Sequence, residues 1–175
     1  MRIVHARTGA LIETVTAPRG VAVLAHRSPN GKYVAGQLGE TIDIWEPAAG
    51  KEIASLAMSV SNDVQSADFD PSSRRIAVRQ TRSTILLFDI EKATELWSVD
   101  LGEPIRCLLF HRQGRYLLAG AESGNLFVID AASGKTERTI AVGFPIGAIS
   151  FAPDGTQVIL FNMRGGYKTL GPARR

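Results

Sequence analysis

IRCLLFHRQGRYLLAGAESGNLFVIDAASGKTERTIAV, residues 105–142, carries four short apolar segments: Ile105–Phe110, Arg115–Gly120, Asn125–Asp130 and Thr136–Ala141. Each has strand length, and the breaks at Gln113-Gly114, Glu122-Ser123-Gly124 and Ala132-Ser133-Gly134 are turn chemistry. The stretch predicts four successive antiparallel strands joined by tight turns, a unit of about forty residues.

The unit recurs. Phe69, Phe110 and Phe151 lie 41 residues apart, as do Asp89 and Asp130, and Gly102 and Gly143; Pro71 and Pro153 are separated by twice that. Landmarks of different type sharing one period mark a repeat protein. SPNG at 28–31, DPSS at 70–73 and APDG at 152–155 align, although Pro29 to Pro71 is 42. Such one-residue shifts fall in turns, where insertions cost least. Trp45-Glu46, Phe88-Asp89 and Ile129-Asp130 close the third segments.

Repeats of four strands predict an all-β fold of β-propeller blades, about four units with a period near 41 residues. Full blades are expected at 21–58, 64–101 and 105–142, within a single propeller or partial propeller over 1–175. Residues 1–17 align with a third and fourth strand, with Gly9 on Gly134. Residues 146–171 supply a first and second strand, and GGYKTLG is available as a third. Residues 1–17 and GGYKTLG thus both offer a third strand. Three arrangements remain open: a ring closed by four blades, two chains completing an eight-bladed ring, or an open arc.

Composition narrows the functional classes. At 175 residues the chain buries roughly 70% of its unfolded surface and needs no metal or disulfide to build a core. Cys107 is the single cysteine, which excludes an intrachain disulfide framework. Residues 1–20 hold no apolar run of signal-peptide length, no run approaches a membrane span, and there is no Asn-x-Ser/Thr sequon. A cytoplasmic protein is expected. The net charge of +3 is spread along the chain apart from Arg164, Lys168, Arg174 and Arg175, and no basic stripe or reader motif points to nucleic acid.

The residues offer little chemistry. His5, His26 and His111 lie in different units with no metal-ligand spacing to one another or to Cys107. Cys107 reads as a small buried hydrophobe on a first strand, with no base to activate it. Asp89 and Asp130 read as turn anchors rather than an acid–base pair. Gly165-Gly166 lacks the GxxxxGK pattern or following helix of a phosphate loop. No catalytic, cofactor or metal site is expected.

The Pro-Asn-Gly and Pro-Asp-Gly turns at 29–31 and 153–155, with the three pairs closing the third strands, resemble the WD-repeat β-propeller family over nearly the whole chain. Only Trp45 carries the signature tryptophan, and Gly102-Glu103 and Gly143-Phe144 stand where the family commonly has Gly-His. The family's buried Asp–His–Ser/Thr–Trp network should therefore be incomplete. The resemblance implies a non-catalytic scaffold that binds protein partners on its rim. Carried over residue by residue, the rim holds Glu40, Arg82, Glu122 and Arg164 in second-to-third strand turns. Asp63, Gln65 and Arg106 lie at entries to first strands. Asp130-Ala-Ala-Ser-Gly-Lys135 and Glu95-Leu-Trp97 also resemble the quinoprotein-like propeller, which implies a cofactor-binding or enzymatic alternative. A truncated piece of a larger propeller protein is the third reading.

Overall fold

The computed structural model describes residues 2–4, 7–14, 25–58, 67–153 and 155–171. Three four-stranded antiparallel sheets follow one another along the chain. The first runs β3 (Ala25–Arg27), β4 (Val34–Leu38), β5 (Thr41–Glu46) and β6 (Lys51–Ala57). The second runs β7 (Ala67–Phe69), β8 (Arg75–Arg79), β9 (Thr84–Asp89) and β10 (Thr94–Asp100), and the third β11 (Ile105–Phe110), β12 (Tyr116–Ala121), β13 (Asn125–Asp130) and β14 (Thr136–Ala141). Before them β1 (Arg2–Val4) pairs with β2 (Leu11–Thr14); after them β15 (Ala148–Phe151), β16 (Val158–Phe161) and β17 (Tyr167–Leu170) form a three-stranded sheet. A 3₁₀ turn at Pro47–Ala49 is the one helical element among the described residues. The chain is all-β, built of meandering blades.

Three of the four strands expected within 105–142 have the expected limits, and the second, Tyr116–Ala121, is displaced by one residue. The turns explain that accuracy. Gly114 N–H donates to His111 O at 2.7 Å, and Gly124 N–H to Ala121 O at 3.2 Å. Gly124 has φ +93°, and a Cβ there would lie 2.7 Å from Phe144 O, so the turn needs glycine both for its conformation and for the neighbour pressed against it.

First strands of neighbouring sheets touch: β3 with β7, β7 with β11, and β11 with β15. The sheets therefore stack side by side around their first strands. Fourth strands lie outermost, with mostly exposed residues on β10 and β14. Second and third strands of the second and third blades are covered on both faces, which is why β9 and β12 read as continuous apolar runs rather than alternating ones.

The core is accordingly a series of seams. Ala35, Ile42 and Ile44 of the first blade meet Ile76, Val78 and Phe88 of the second. Ala77, Ile85 and Leu87 of the second meet Leu117, Ala119 and Ile129 of the third. Leu118 and Leu126 of the third meet Ile149, Val158 and Leu160 of the last sheet.

Candidate functional site

The end of the blades formed by second-to-third strand turns gathers the charged side chains. The β12–β13 turn projects Glu122, which accepts from Arg106 at 3.1 Å on the neighbouring first strand β11. The same carboxylate lies 3.8 Å from Arg82 of the β8–β9 turn in the preceding blade. Register explains the convergence: Ile105 N–H donates to Arg82 O and Glu122 N–H to Pro104 O, so backbone bonds hold both turns to the entry of β11. All three side chains keep substantial exposure. In that setting such pairs add little stability, which leaves the charges available for exchange with a partner.

Beside this triad, Asn125 donates to Glu103 at 2.8 Å across the same entry. One repeat later the corresponding positions hold Phe144, Pro145, Met163 and Gly166 in place of Glu103, Pro104, Glu122 and Asn125. Polar groups thus give way to apolar ones. Phe144, Pro145, Asn162, Met163 and Arg164 line a cleft of about 310 Å³. Met163 is 76% exposed there. The Arg164 amide donates to Asn162 Oδ1 at 2.8 Å, which fixes the turn, and the exposed Arg164 guanidinium has no ion pair among the described residues.

Of the seven expected rim residues, the structure joins Arg82, Arg106 and Glu122 in one cluster and sets Arg164 on the adjacent cleft. Glu40 is exposed in the β4–β5 turn of the first blade and belongs to neither group. Asp63 and Gln65 lie outside the described residues. Sequence reasoning missed Phe144, Pro145 and Met163 as rim residues; subtracting 41 from Phe144 and Met163 gives Glu103 and Glu122 and would have exposed the loss of polarity.

The remaining titratable groups have structural surroundings. Burial pushes the Cys107 thiol up to about 12, so it stays protonated at neutral pH. His111 Nδ1 accepts from Gln113 N–H at 3.2 Å, and its ring meets Tyr116 and Phe151 edge-on. Asp130 Oδ1 accepts from the Ser133 hydroxyl and amide, which together with the Ala132 amide hold its carboxyl below the usual range. Asp89 Oδ1 takes the Lys92 amide in the same way, so both aspartates anchor turns. Trp45 Nε1 is buried with no partner among the described residues. Asp43 instead accepts from Thr41 and Ser55 hydroxyls, leaving the tryptophan outside any polar network. No group of three His, Cys, Asp or Glu side chains among the described residues could hold a metal ion. No helix among them is long and apolar enough to cross a membrane.

Two comparisons agree with this architecture. The family model described as the anaphase-promoting complex subunit 4 WD40 domain matches residues 76–154, from the second strand of one blade to the turn after β15. The meiotic recombination protein rec14 of Schizosaccharomyces pombe is 22% identical over 153 residues, a match covering 84% of this chain and 50% of that protein. The chain thus spans about half the length of that relative. Repeat period and blade topology agree with these matches: the chain is built of β-propeller-type blades and is similar to a WD40 domain over residues 76–154.

Proposed function

We propose that the chain is a non-catalytic scaffold that binds protein partners through its rim. The observation that carries this reading is the adjacency of the Arg82–Glu122–Arg106 cluster to the cleft of Phe144, Pro145, Met163 and Arg164 on one end of the blades. The neighbouring sites join a charged patch to an apolar recess, the combination from which interface hot spots are built. Rigid stacked sheets hold the turns in place while the turn residues supply recognition.

The test is affinity capture with purified protein as bait, comparing wild type with Arg106→Ala, Glu122→Ala and Arg164→Ala. Glu137→Ala, on the outer strand β14, is the control. A stoichiometric protein partner should bind wild type and control, and each rim variant should weaken it at least about fivefold, the effect of losing roughly 1 kcal/mol. Equal capture by all variants would remove the rim from the account. A stoichiometric chromophore or bound calcium in the purified protein would replace the scaffold with a cofactor-binding propeller.

A further inference from the structure

We infer, resting on the rim reading above, that Arg82 and Arg106 together hold a carboxylate supplied by the protein partner, from an Asp or Glu that stands next to a bulky apolar residue. Both guanidiniums approach the same oxygen, Glu122 Oε1, Arg106 through Nη2 at 3.1 Å and Arg82 through Nη2 at 3.8 Å. The longer distance exceeds hydrogen-bond length, so Arg82 is drawn to that carboxylate without donating to it. Two positive charges, each with a fork of N–H donors, thus share one acceptor atom and one negative charge.

The other carboxylates of this entry are engaged elsewhere. Glu103 accepts from the Asn125 side chain at 2.8 Å, and Asp100 accepts from the Gly102 amide at 2.9 Å and from the Ser83 hydroxyl. Neither forms an ion pair with Arg82 or Arg106 among the described residues. The triad is therefore one negative charge short. A second carboxylate supplies that charge, and its two coplanar oxygens match the guanidinium fork. A phosphoryl group would set up to two negative charges beside Glu122 and overshoot. The backbone beneath is fixed before a partner arrives. Thr81 Oγ1 accepts the Ser83 and Thr84 amides at 3.3 and 3.0 Å, closing the turn that carries Arg82, and the Ile105 amide donates to Arg82 O at 2.7 Å. Such preorganisation lowers the cost of binding.

What stands beside the triad gives the apolar half of the partner. The Ile146 amide donates to Ala121 O at 3.1 Å and the Val142 amide to Gly124 O at 2.8 Å, which fastens the 142–146 connection against the turn bearing Glu122. Phe144, half-buried, and Pro145, exposed, lie within that connection, and Phe144 O presses on Gly124. A partner residue close in sequence to the bound carboxylate thus meets the Phe144–Pro145 wall. The second and third blades, which carry the three charged residues, each have a sheet on both sides, so the ends of the blade series do not shape the triad.

The test screens the purified full chain against a positional library of short peptides in which Asp, Glu, Asn, Gln, Lys, phosphoserine and the large apolar residues vary. Fluorescence anisotropy then gives the affinity of the selected peptide. The chain should select Asp or Glu at one position with a large apolar residue close by. Arg82→Ala and Arg106→Ala should each weaken the selected peptide at least about tenfold. Arg106→Glu should turn the selection from acid to Lys or Arg, a reversal that a misfolded variant cannot give. Pro145→Ser should cost the apolar preference and keep the acidic one. Arg164→Ala, which the rim reading expects to weaken a whole partner, should leave the short peptide unchanged. No selected peptide, equal selection of Asp and Asn, preference for phosphoserine over Asp, or indifference to both Arg82→Ala and Arg106→Ala would each overturn the inference. A partner captured through the rim without acidic selection would remove this inference and keep the rim reading.

Discussion

Asp68 shows how much one residue of a first strand can carry. Its Oδ2 accepts the Phe110 amide at 2.7 Å, tying β7 to β11 across the second seam. Burial pushes its carboxyl from the ordinary 3.8 up to about 6, against the opposing pull of the Phe110 and Phe69 amides, with Asp70 adding to the rise. The folded state thus holds its proton more tightly than the unfolded chain does. Stability contributed by this group is full below about pH 4 and is lost as pH climbs through about 6. Asp68→Asn keeps an acceptor for the Phe110 amide and removes the buried charge. It should raise stability by about 1–3 kcal/mol at pH 7.5 and change it little at pH 4, read from denaturant melts at the two pH values. None of this was legible in Asp68-Phe69-Asp70, because the partner amide lies 42 residues away. Asp130 and Asp89 were legible, since a turn aspartate finds its amides two or three residues on.

Between elements, arginines clasp neighbouring blades. Arg75 on β8 pairs with the buried Asp70 at 3.2 Å and reaches across to Gly114 O at 3.1 Å and Ala131 O at 3.2 Å in the third blade. Arg112 reaches in the same manner to Ala152 O and Pro153 O, each at 3.1 Å, but from an exposed position with no carboxylate behind it. Arg75→Ala leaves Asp70 buried beside empty space, although the Ser72 hydroxyl and the Arg74 and Arg75 amides still serve that carboxylate. The expected cost is about 2–3 kcal/mol of unfolding free energy, against less than about 1 kcal/mol for Arg112→Ala, measured by urea denaturation. Strand limits could be read from the turns that bound them. The clasps could not, because backbone carbonyls of a neighbouring blade leave no trace in side-chain identity.

At the scale of the whole molecule, stability is distributed along the seams. The third blade is covered on both faces, by Ala77, Ile85 and Leu87 on one side and by Leu160 and Ile149 on the other. The last sheet is covered on one. Nearest-neighbour stacking of this kind predicts a gradient of local opening. Amides of β12 and β13 should be the slowest to exchange with deuterium in the isolated chain and those of β17 among the fastest. Hydrogen-exchange mass spectrometry reads this gradient strand by strand. Uniform exchange across the blades would contradict a seam-by-seam core.

The sequence by itself determined the repeat, the strand order within each blade and the turns, because these rest on contacts between residues a few positions apart and on a period counted along the chain. It also placed Arg82, Arg106 and Glu122 on a rim, by resemblance. Only the tertiary structure decided that these three share one ion-pair cluster, that Phe144 and Met163 face the same cleft, and that Tyr167 stands open where Leu126 is closed. The reason is physical. Local turn chemistry specifies a blade, but what a blade's face meets depends on the neighbouring blade, and identical strand patterns are written whether that face is covered or bare.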